Sequence, residues 1–234
     1  MMNEDNNTPF VPEKFVDFNN RKSPSILIMG SRGSGKTTMC VDLMNKLCTE
    51  DKYDVCMIFT AKNTYNNYNL TNFSVIKLND ELNEEILKNL LHRQRILIDN
   101  NKTSKLMLII DNVQNFEKIK NTDAYSDLIL NSRCYNISIM TTTPSSTSFH
   151  PKIRTNMDYI FLLNEQSLTV KQKLYENYGG MFSSFKQFEE VFDETTRENY
   201  NSLVINNTGK TQKVMQYKEK YSFYLFFLKT LINF

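Results

Sequence analysis

Apolar residues fall along this chain in two alternating patterns. Short unbroken runs, with Ile26-Leu27-Ile28-Met29 the first, alternate with longer stretches in which apolar positions recur at helical spacing. Unbroken runs describe strands buried on both faces, as in a parallel sheet. Recurrence at i, i+3 and i+4 describes helices with one apolar stripe. On that basis strands are predicted at residues 26–29, 55–59, 74–78, 106–111, 137–142, 158–163, 203–205 and 213–217. Helices are predicted at 36–48 (Val41, Met44, Leu47 and Cys48 on one face), 123–131, 167–178 and 185–192, and as an aromatic helix at 219–234. Asp80 is expected to cap a further long helix to about residue 100, with Leu82, Ile86, Leu90 and Leu97 turned inward. The alternation is that of an α/β fold, a mostly parallel central sheet flanked by helices.

Between these elements lie polar connections. Residues 63–72 are rich in Asn and Tyr and read as a loop whose tyrosines either pack against the protein or stack on bases. Residues 1–23 read as an extended arm, because Pro9 and Pro12 disfavour helix. Phe10, Phe15 and Phe18 either pin that arm to the domain or a neighbouring subunit, or belong to a free tail. Residues 24–234 then form one domain, a size suited to a single core.

Composition narrows the function classes. The net charge of +2 excludes a polybasic, histone-like protein and leaves room for a local nucleic-acid contact. Cys40, Cys48, Cys56 and Cys134 contain no C-x-x-C pair, and His92 and His150 are far apart in sequence, so free thiols are expected and no metal site. No secretory signal is visible, and no apolar run reaches the length of about 18 residues that marks a membrane span.

The chemistry concentrates where the first strand ends. Gly30-Ser31-Arg32-Gly33-Ser34-Gly35-Lys36-Thr37-Thr38 satisfies G-x-x-x-x-G-K-[ST] between a strand and an amphipathic helix. The glycines let the backbone turn tightly, so that successive N–H groups converge on an anion. Lys36 would reach the β- and γ-phosphates of ATP, and the Thr37 hydroxyl would ligand Mg²⁺. A second Gly-Lys-Thr, at Gly209-Lys210-Thr211, lacks the first glycine because position 204 is Val, and reads as a surface turn. The run Leu106-Met107-Leu108-Ile109-Ile110-Asp111 sets a carboxylate at the C-terminal end of a buried strand. Ligands of parallel sheets sit at that edge, so Asp111 is expected to hold Mg²⁺ from the side opposite Thr37.

Longer blocks carry a resemblance. To the glycine-rich loop and Ile110-Asp111 are added Asn131-Ser132-Arg133-Cys134-Tyr135-Asn136-Ile137-Ser138 and Ile153-Arg154-Thr155-Asn156-Met157-Asp158-Tyr159-Ile160-Phe161. Leu174-Tyr175-Glu176-Asn177-Tyr178, Leu203-Val204-Ile205-Asn206-Asn207 and Tyr217-Lys218 follow. In order and spacing this resembles the poxvirus-type genome-packaging ATPases of large eukaryotic DNA viruses and virophages, within the FtsK–HerA superfamily. The resemblance implies a RecA-like P-loop core and a homo-oligomeric ring. It also implies ATP-driven movement of double-stranded DNA into a capsid, with a capsid or portal-vertex protein as partner. A virion or viral-factory location in the host cytoplasm follows from the same likeness.

Two positions depart from that family. A second acid, which activates the attacking water, usually follows the metal-binding aspartate; here Asn112 stands there. A glutamine that senses the γ-phosphate falls by register on Pro144, with Thr143 beside it as a substitute. Arg133 and Arg154 are both candidates for an arginine finger supplied across a subunit interface, and Glu117 for a displaced base. Two functions therefore stand side by side. One is a DNA-translocating ATPase; the other is an ATP-binding, hydrolysis-impaired structural or assembly component of the virion. A small-molecule kinase would need an arginine-rich lid, and residues 143–152 contain no arginine.

Overall fold

The computed structural model describes residues 10–18, 21–68, 73, 75–209 and 212–218. In chain order the elements are β1 (Glu13–Lys14), β2 (Ser25–Met29), α1 (Lys36–Glu50), β3 (Val55–Phe59), a 3₁₀ turn (Lys62–Asn67), β4 (Val75–Asn79), α2 (Glu84–Asp99) and β5 (Leu106–Asp111). Then come α3 (Phe116–Ile119), α4 (Asp123–Asn131), β6 (Ile137–Thr143), α5 (Pro151–Arg154), β7 (Tyr159–Leu162), α6 (Leu168–Tyr178), α7 (Phe185–Thr195), β8 (Ser202–Asn206) and β9 (Lys213–Tyr217).

All nine described strands join one sheet in the order β1-β9-β8-β7-β2-β6-β5-β3-β4. From β7 to β4 every pairing is parallel; β8 runs antiparallel to both β7 and β9. This order decides the site. β6 lies between β2 and β5, so the loop after Met29 and the carboxylate of Asp111 emerge at the same sheet edge with one strand between them. Thr142 and Thr143, at the end of that intervening strand, fill the space.

The unbroken apolar runs are buried as their pattern requires. β2, β5 and β6 carry no exposed position, and each face of the sheet supports its own core. One core gathers Leu108, Ile110, Leu128 and Phe188; the other gathers Ile28, Leu43, Ile58 and Ile109. Each such side chain contributes about 1.5–3 kcal/mol relative to exposure.

The arm residues that the structure describes are part of the fold. β1 pairs in parallel with β9 through Glu13–Met215 and Lys14–Gln216. Phe15 and Phe18 are buried, edge-on to one another and to Tyr159. Phe10 contacts the Phe182 ring at 5.1 Å.

Two expectations change at α2. Asp80 does not cap it; Asp80 instead pairs with Lys62 at 3.0 Å, and the cap is Asn83, whose side chain accepts from Ile86 N at 2.9 Å. Leu82 just before the cap and Leu87 one turn in share a core, the staple that fixes the entry angle of a helix. Leu97 is only half-buried, because the inward stripe runs through Leu87, Leu90, Leu91 and Gln94. The expected aromatic helix at 219–234, Lys210-Thr211 of the second Gly-Lys-Thr, and residues 69–72 of the Asn/Tyr loop lie outside the described residues.

Candidate nucleotide site

The loop between β2 and α1 has the backbone that its glycines foretell. Gly33 and Gly35 adopt φ of 80° and 94°, in the left-handed region that side chains rarely enter. A Cβ on Gly30 would collide with Ser34 Oγ and come within 3.0 Å of Leu163. Gly35 caps α1 with no side-chain acceptor, so the first N–H groups of this 15-residue helix have no cap of their own. Such a helix start attracts anions through its dipole and its free donors. A second observation points the same way: Ser34 Oγ and Thr143 Oγ1 are buried beside the loop without a hydrogen-bond partner. Buried hydroxyls are rarely left unpaired, and a phosphate held by the loop would offer Ser34 Oγ an acceptor.

Lys36 lies along the loop. Its ammonium donates to Gly30 O at 2.9 Å and Ser31 O at 2.7 Å, which ties the turn together from within. An ammonium has three N–H groups, so one remains for an incoming oxygen. Burial pushes the Lys36 pKa down, and the carboxylates of Asp111 and the buried Glu165 act against that shift. An anion placed in the loop would favour the charged form further.

Asp111 is the second half of the site, and it is held on every side. Thr37 Oγ1 donates to its Oδ2 at 2.9 Å, and the Tyr68 hydroxyl donates to the same oxygen at 2.9 Å. Thr142 Oγ1 donates to Oδ1 at 2.5 Å and accepts from Asn112 N at 3.1 Å. Asp111 itself is 1% exposed. Thr37 and Asp111, 74 residues apart in sequence, therefore meet at hydrogen-bond distance. The donor set suits Mg²⁺, a cation bound by one or two protein oxygens together with phosphates and water. Among the described residues no cluster of His, Cys, Asp and Glu forms an all-protein metal cage.

A groove of about 650 Å³ connects these parts, lined by Arg32, Gly33, Gly35 to Thr38, Asp111, Asn112, Pro144 and Tyr200. Asn112 and Pro144, the two positions that depart from the family pattern, thus stand beside Asp111. Asp111 is the one carboxylate among the described lining residues. Glu117 does not line it: it sits on α3, two-thirds exposed, and pairs with Lys120 at 2.7 Å.

The arginine-finger candidates lie elsewhere in the chain. Arg133 precedes β6 and Arg154 precedes β7, so both stand at the N-terminal ends of strands, opposite the loop. Arg133 pairs with the buried Asp158 at 2.5 Å, and Arg21 pairs with the same carboxylate at 2.8 Å. Arg154 donates to Asn177 Oδ1. Neither touches the groove of its own chain.

Sequence reasoning did not single out Tyr68, Thr142, Glu165 or Tyr200. The only signal for Tyr68 was its place in the Tyr-rich loop, and there the packing alternative holds, since Tyr68 is 7% exposed. Burial raises its pKa well above the ordinary value, and the nearby Cys40 and Asp111 add to that shift, so the hydroxyl stays a donor.

The profile of the family described as AAA domain matches residues 22–158. An uncharacterized protein of Acanthamoeba polyphaga mimivirus is 31% identical over 205 residues, covering 82% of this chain and 69% of the relative. An uncharacterized protein of Invertebrate iridescent virus 3 is 27% identical over 197 residues, covering 84% of this chain and 74% of the relative. Among solved structures, the genome packaging NTPase B204 from Sulfolobus turreted icosahedral virus 2, in complex with AMP, superposes with a TM-score of 0.61 at 16% identity, over 85% of this chain and 100% of that one. The cytoplasmic domain of the type VII secretion ATPase EccC from Thermomonospora curvata superposes at 0.58 with 12% identity, over 90% of this chain and 28% of that one. At these identities the structural likeness concerns the fold, a P-loop NTPase built on a mostly parallel sheet.

Proposed function

This chain belongs to the AAA-domain family of P-loop proteins, and from that we propose that it is an ATPase that moves double-stranded DNA into a viral capsid. The observation that carries the reading is the junction of Thr37 and Asp111 at 2.9 Å at the foot of an uncapped helix N-terminus. The loop from Gly30 to Thr38 would wrap the phosphates, with its N–H groups and the third N–H of Lys36 as donors. Thr37 and Asp111 would hold Mg²⁺, which when bound neutralises charge on the β- and γ-phosphates. Asn112 would orient the attacking water, since an amide can position water without taking its proton. Arg133 of a neighbouring subunit is the preferred finger, with Arg154 second, in a ring that would set the N-terminal strand edge of one copy against the groove of the next. The DNA-packaging step rests on the likeness to B204, named as a genome packaging NTPase, and on relatives from large DNA viruses. A capsid or portal-vertex partner, and a place in the virion or the viral factory, belong to the same proposal. No helix among the described residues is long and apolar enough to cross a membrane.

A second reading has its own support. With Asp111 the sole carboxylate among the described residues of the groove and assigned to Mg²⁺, no second carboxylate there is left to act as a general base. Loss of such a base typically costs 10²–10⁴-fold, or about 3–5 kcal/mol of barrier. The chain would then bind ATP to assemble and hydrolyse it poorly. Steady-state ATP turnover, with and without double-stranded DNA and with Lys36→Ala as the control, separates the two. Turnover above the control, raised by DNA of any sequence and weakened as salt increases, supports the motor. Turnover equal to the control in a protein that still binds ATP sinks the motor and leaves the assembly reading.

A further inference from the structure

Tyr200 lines the groove from the opposite side of β2 to Asp111. It lies in the short connection between α7 and β8, and β8 begins at the same sheet edge as the phosphate loop because it runs antiparallel to β7. A Cβ built on Gly35 would lie 2.5 Å from Tyr200 Cδ1 and 2.8 Å from Cε1. The ring therefore packs directly on the glycine that opens α1, a closeness that only a residue without a side chain permits. Tyr200 holds a left-handed backbone, φ 66°, uncommon for a large side chain. Its connection is pinned behind it: the buried Asn201 donates from Nδ2 to Glu198 Oε2 at 3.1 Å, and Thr196 O accepts from Asn164 Nδ2 at 3.0 Å.

Tyr200 also walls a second hollow of about 210 Å³, bounded by Ser31 to Ser34 of the loop and by Asn164, Glu198, Asn199 and Asn201. In the order β8-β7-β2-β6-β5, the loop after β2 has Tyr200, just before β8, on one side and Asp111, at the end of β5, on the other, and both line the groove together with Gly35 to Thr38. A triphosphate laid on the helix start with its terminal phosphate at Asp111 and extended across the loop would bring its nucleoside to the side of Tyr200. Tyr200 is the one aromatic ring among the described residues lining the groove.

We propose that Tyr200, packed on Gly35, is the stacking platform for the nucleobase of the bound nucleotide, with Glu198 and Asn199 of the adjoining hollow as hydrogen-bonding partners for its base edge and ribose hydroxyls. The assignment rests on the nucleotide reading above and deepens it. Every base has a π-face, so the ring itself adds affinity for any nucleotide, and Glu198 and Asn199 supply whatever discrimination there is. Loss of one base–aromatic stack corresponds to roughly 5- to 150-fold in affinity.

The test is calorimetric titration of the full chain with Mg²⁺-ATP and with inorganic tripolyphosphate, a ligand with the charge and no base. Tyr200→Ala should weaken ATP binding by about 5- to 150-fold and leave tripolyphosphate binding as in the wild type. Tyr200→Phe should keep ATP binding within about twofold, because the ring and not the hydroxyl does the stacking. Three results overturn the proposal: unchanged ATP affinity in Tyr200→Ala; equal loss of ATP and tripolyphosphate, which would mean that the ring only shapes the loop; and an equal loss in Tyr200→Phe. A wild-type protein that binds neither ligand overturns the nucleotide site itself, a different failure from these three. A matching thermal midpoint for the two variants shows that the comparison is between folded proteins.

Discussion

Thr142→Val removes one hydroxyl from beneath the candidate metal site and changes little else. The two side chains are nearly the same size, valine suits a strand, and the position is 2% exposed within β6. The hydroxyl makes two bonds, as donor to Asp111 Oδ1 at 2.5 Å and as acceptor from Asn112 N at 3.1 Å. A hydrogen bond to a charged group contributes about 1.5–3 kcal/mol, and a buried group left unpaired costs a further 1–3 kcal/mol or so. Asn112 is exposed, so water can replace its partner, and Asp111 Oδ2 keeps both Thr37 and Tyr68. The net expectation is a loss of about 2–4 kcal/mol, which in a domain of this size lowers the thermal midpoint by roughly 5–15 °C. A double-mutant cycle with Asp111→Asn, read by urea unfolding, isolates the pair. The coupling energy should be about 1.5–3 kcal/mol, since the charge that makes the bond strong is absent from the second background. A coupling below about 0.5 kcal/mol would refute the reasoning, because the carboxylate would then owe nothing to the strand that separates it from the loop.

Asn112→Asp restores a carboxylate next to Asp111 and, if a missing base limits the rate, should raise ATP turnover at least tenfold of the 10²–10⁴ that a general base supplies; a rate equal to or below wild type counts against that role. Arg133→Ala leaves Asp158 with Arg21 at 2.8 Å and Ser25 N at 2.9 Å, so unfolding should register a loss of only about 1 kcal/mol. If Arg133 reaches a neighbour's nucleotide, turnover in the same variant should fall about 10³-fold or more, and a fall smaller than tenfold removes it as a finger. Cys134 is exposed, whereas Cys40 and Cys56 are buried and burial pushes the half-buried Cys48 thiol up to about 11. At pH 8 only about one Cys48 in a thousand is then a thiolate, so a thiol reagent should modify Cys134 first and Cys40 and Cys56 only on unfolding. Rapid modification of Cys40 in the native protein would contradict its burial between α1 and the sheet.

The elements that periodicity describes well are those whose neighbours do not alter them. β5 and α4 begin and end where the apolar pattern places them, since a run buried on both faces and a helix with one buried stripe leave their own period in the chain. α2 shows the limit. Asp80 and Asn83 are equally good caps by type, and only the docking of Leu82 and Leu87 into one core selects the second. β1 was equally hidden, because a two-residue strand has no period and exists only by pairing with β9 at the other end of the chain.

By itself the sequence determined that a glycine-rich turn joins a buried strand to a helix, and that another buried strand ends in a carboxylate. Both follow from local demands, the left-handed backbone at Gly33 and Gly35 and the unbroken apolar run before Asp111. Only the tertiary structure decided what surrounds them. The strand order lays Thr142 between loop and carboxylate; Tyr68, 43 residues from Asp111, supplies its other donor; Tyr200 closes on Gly35; and Arg133 turns away to Asp158. The physical reason is that hydrogen bonds and ring contacts act over a few ångströms of space whatever the separation along the chain, so they leave no periodic trace in the residues that make them.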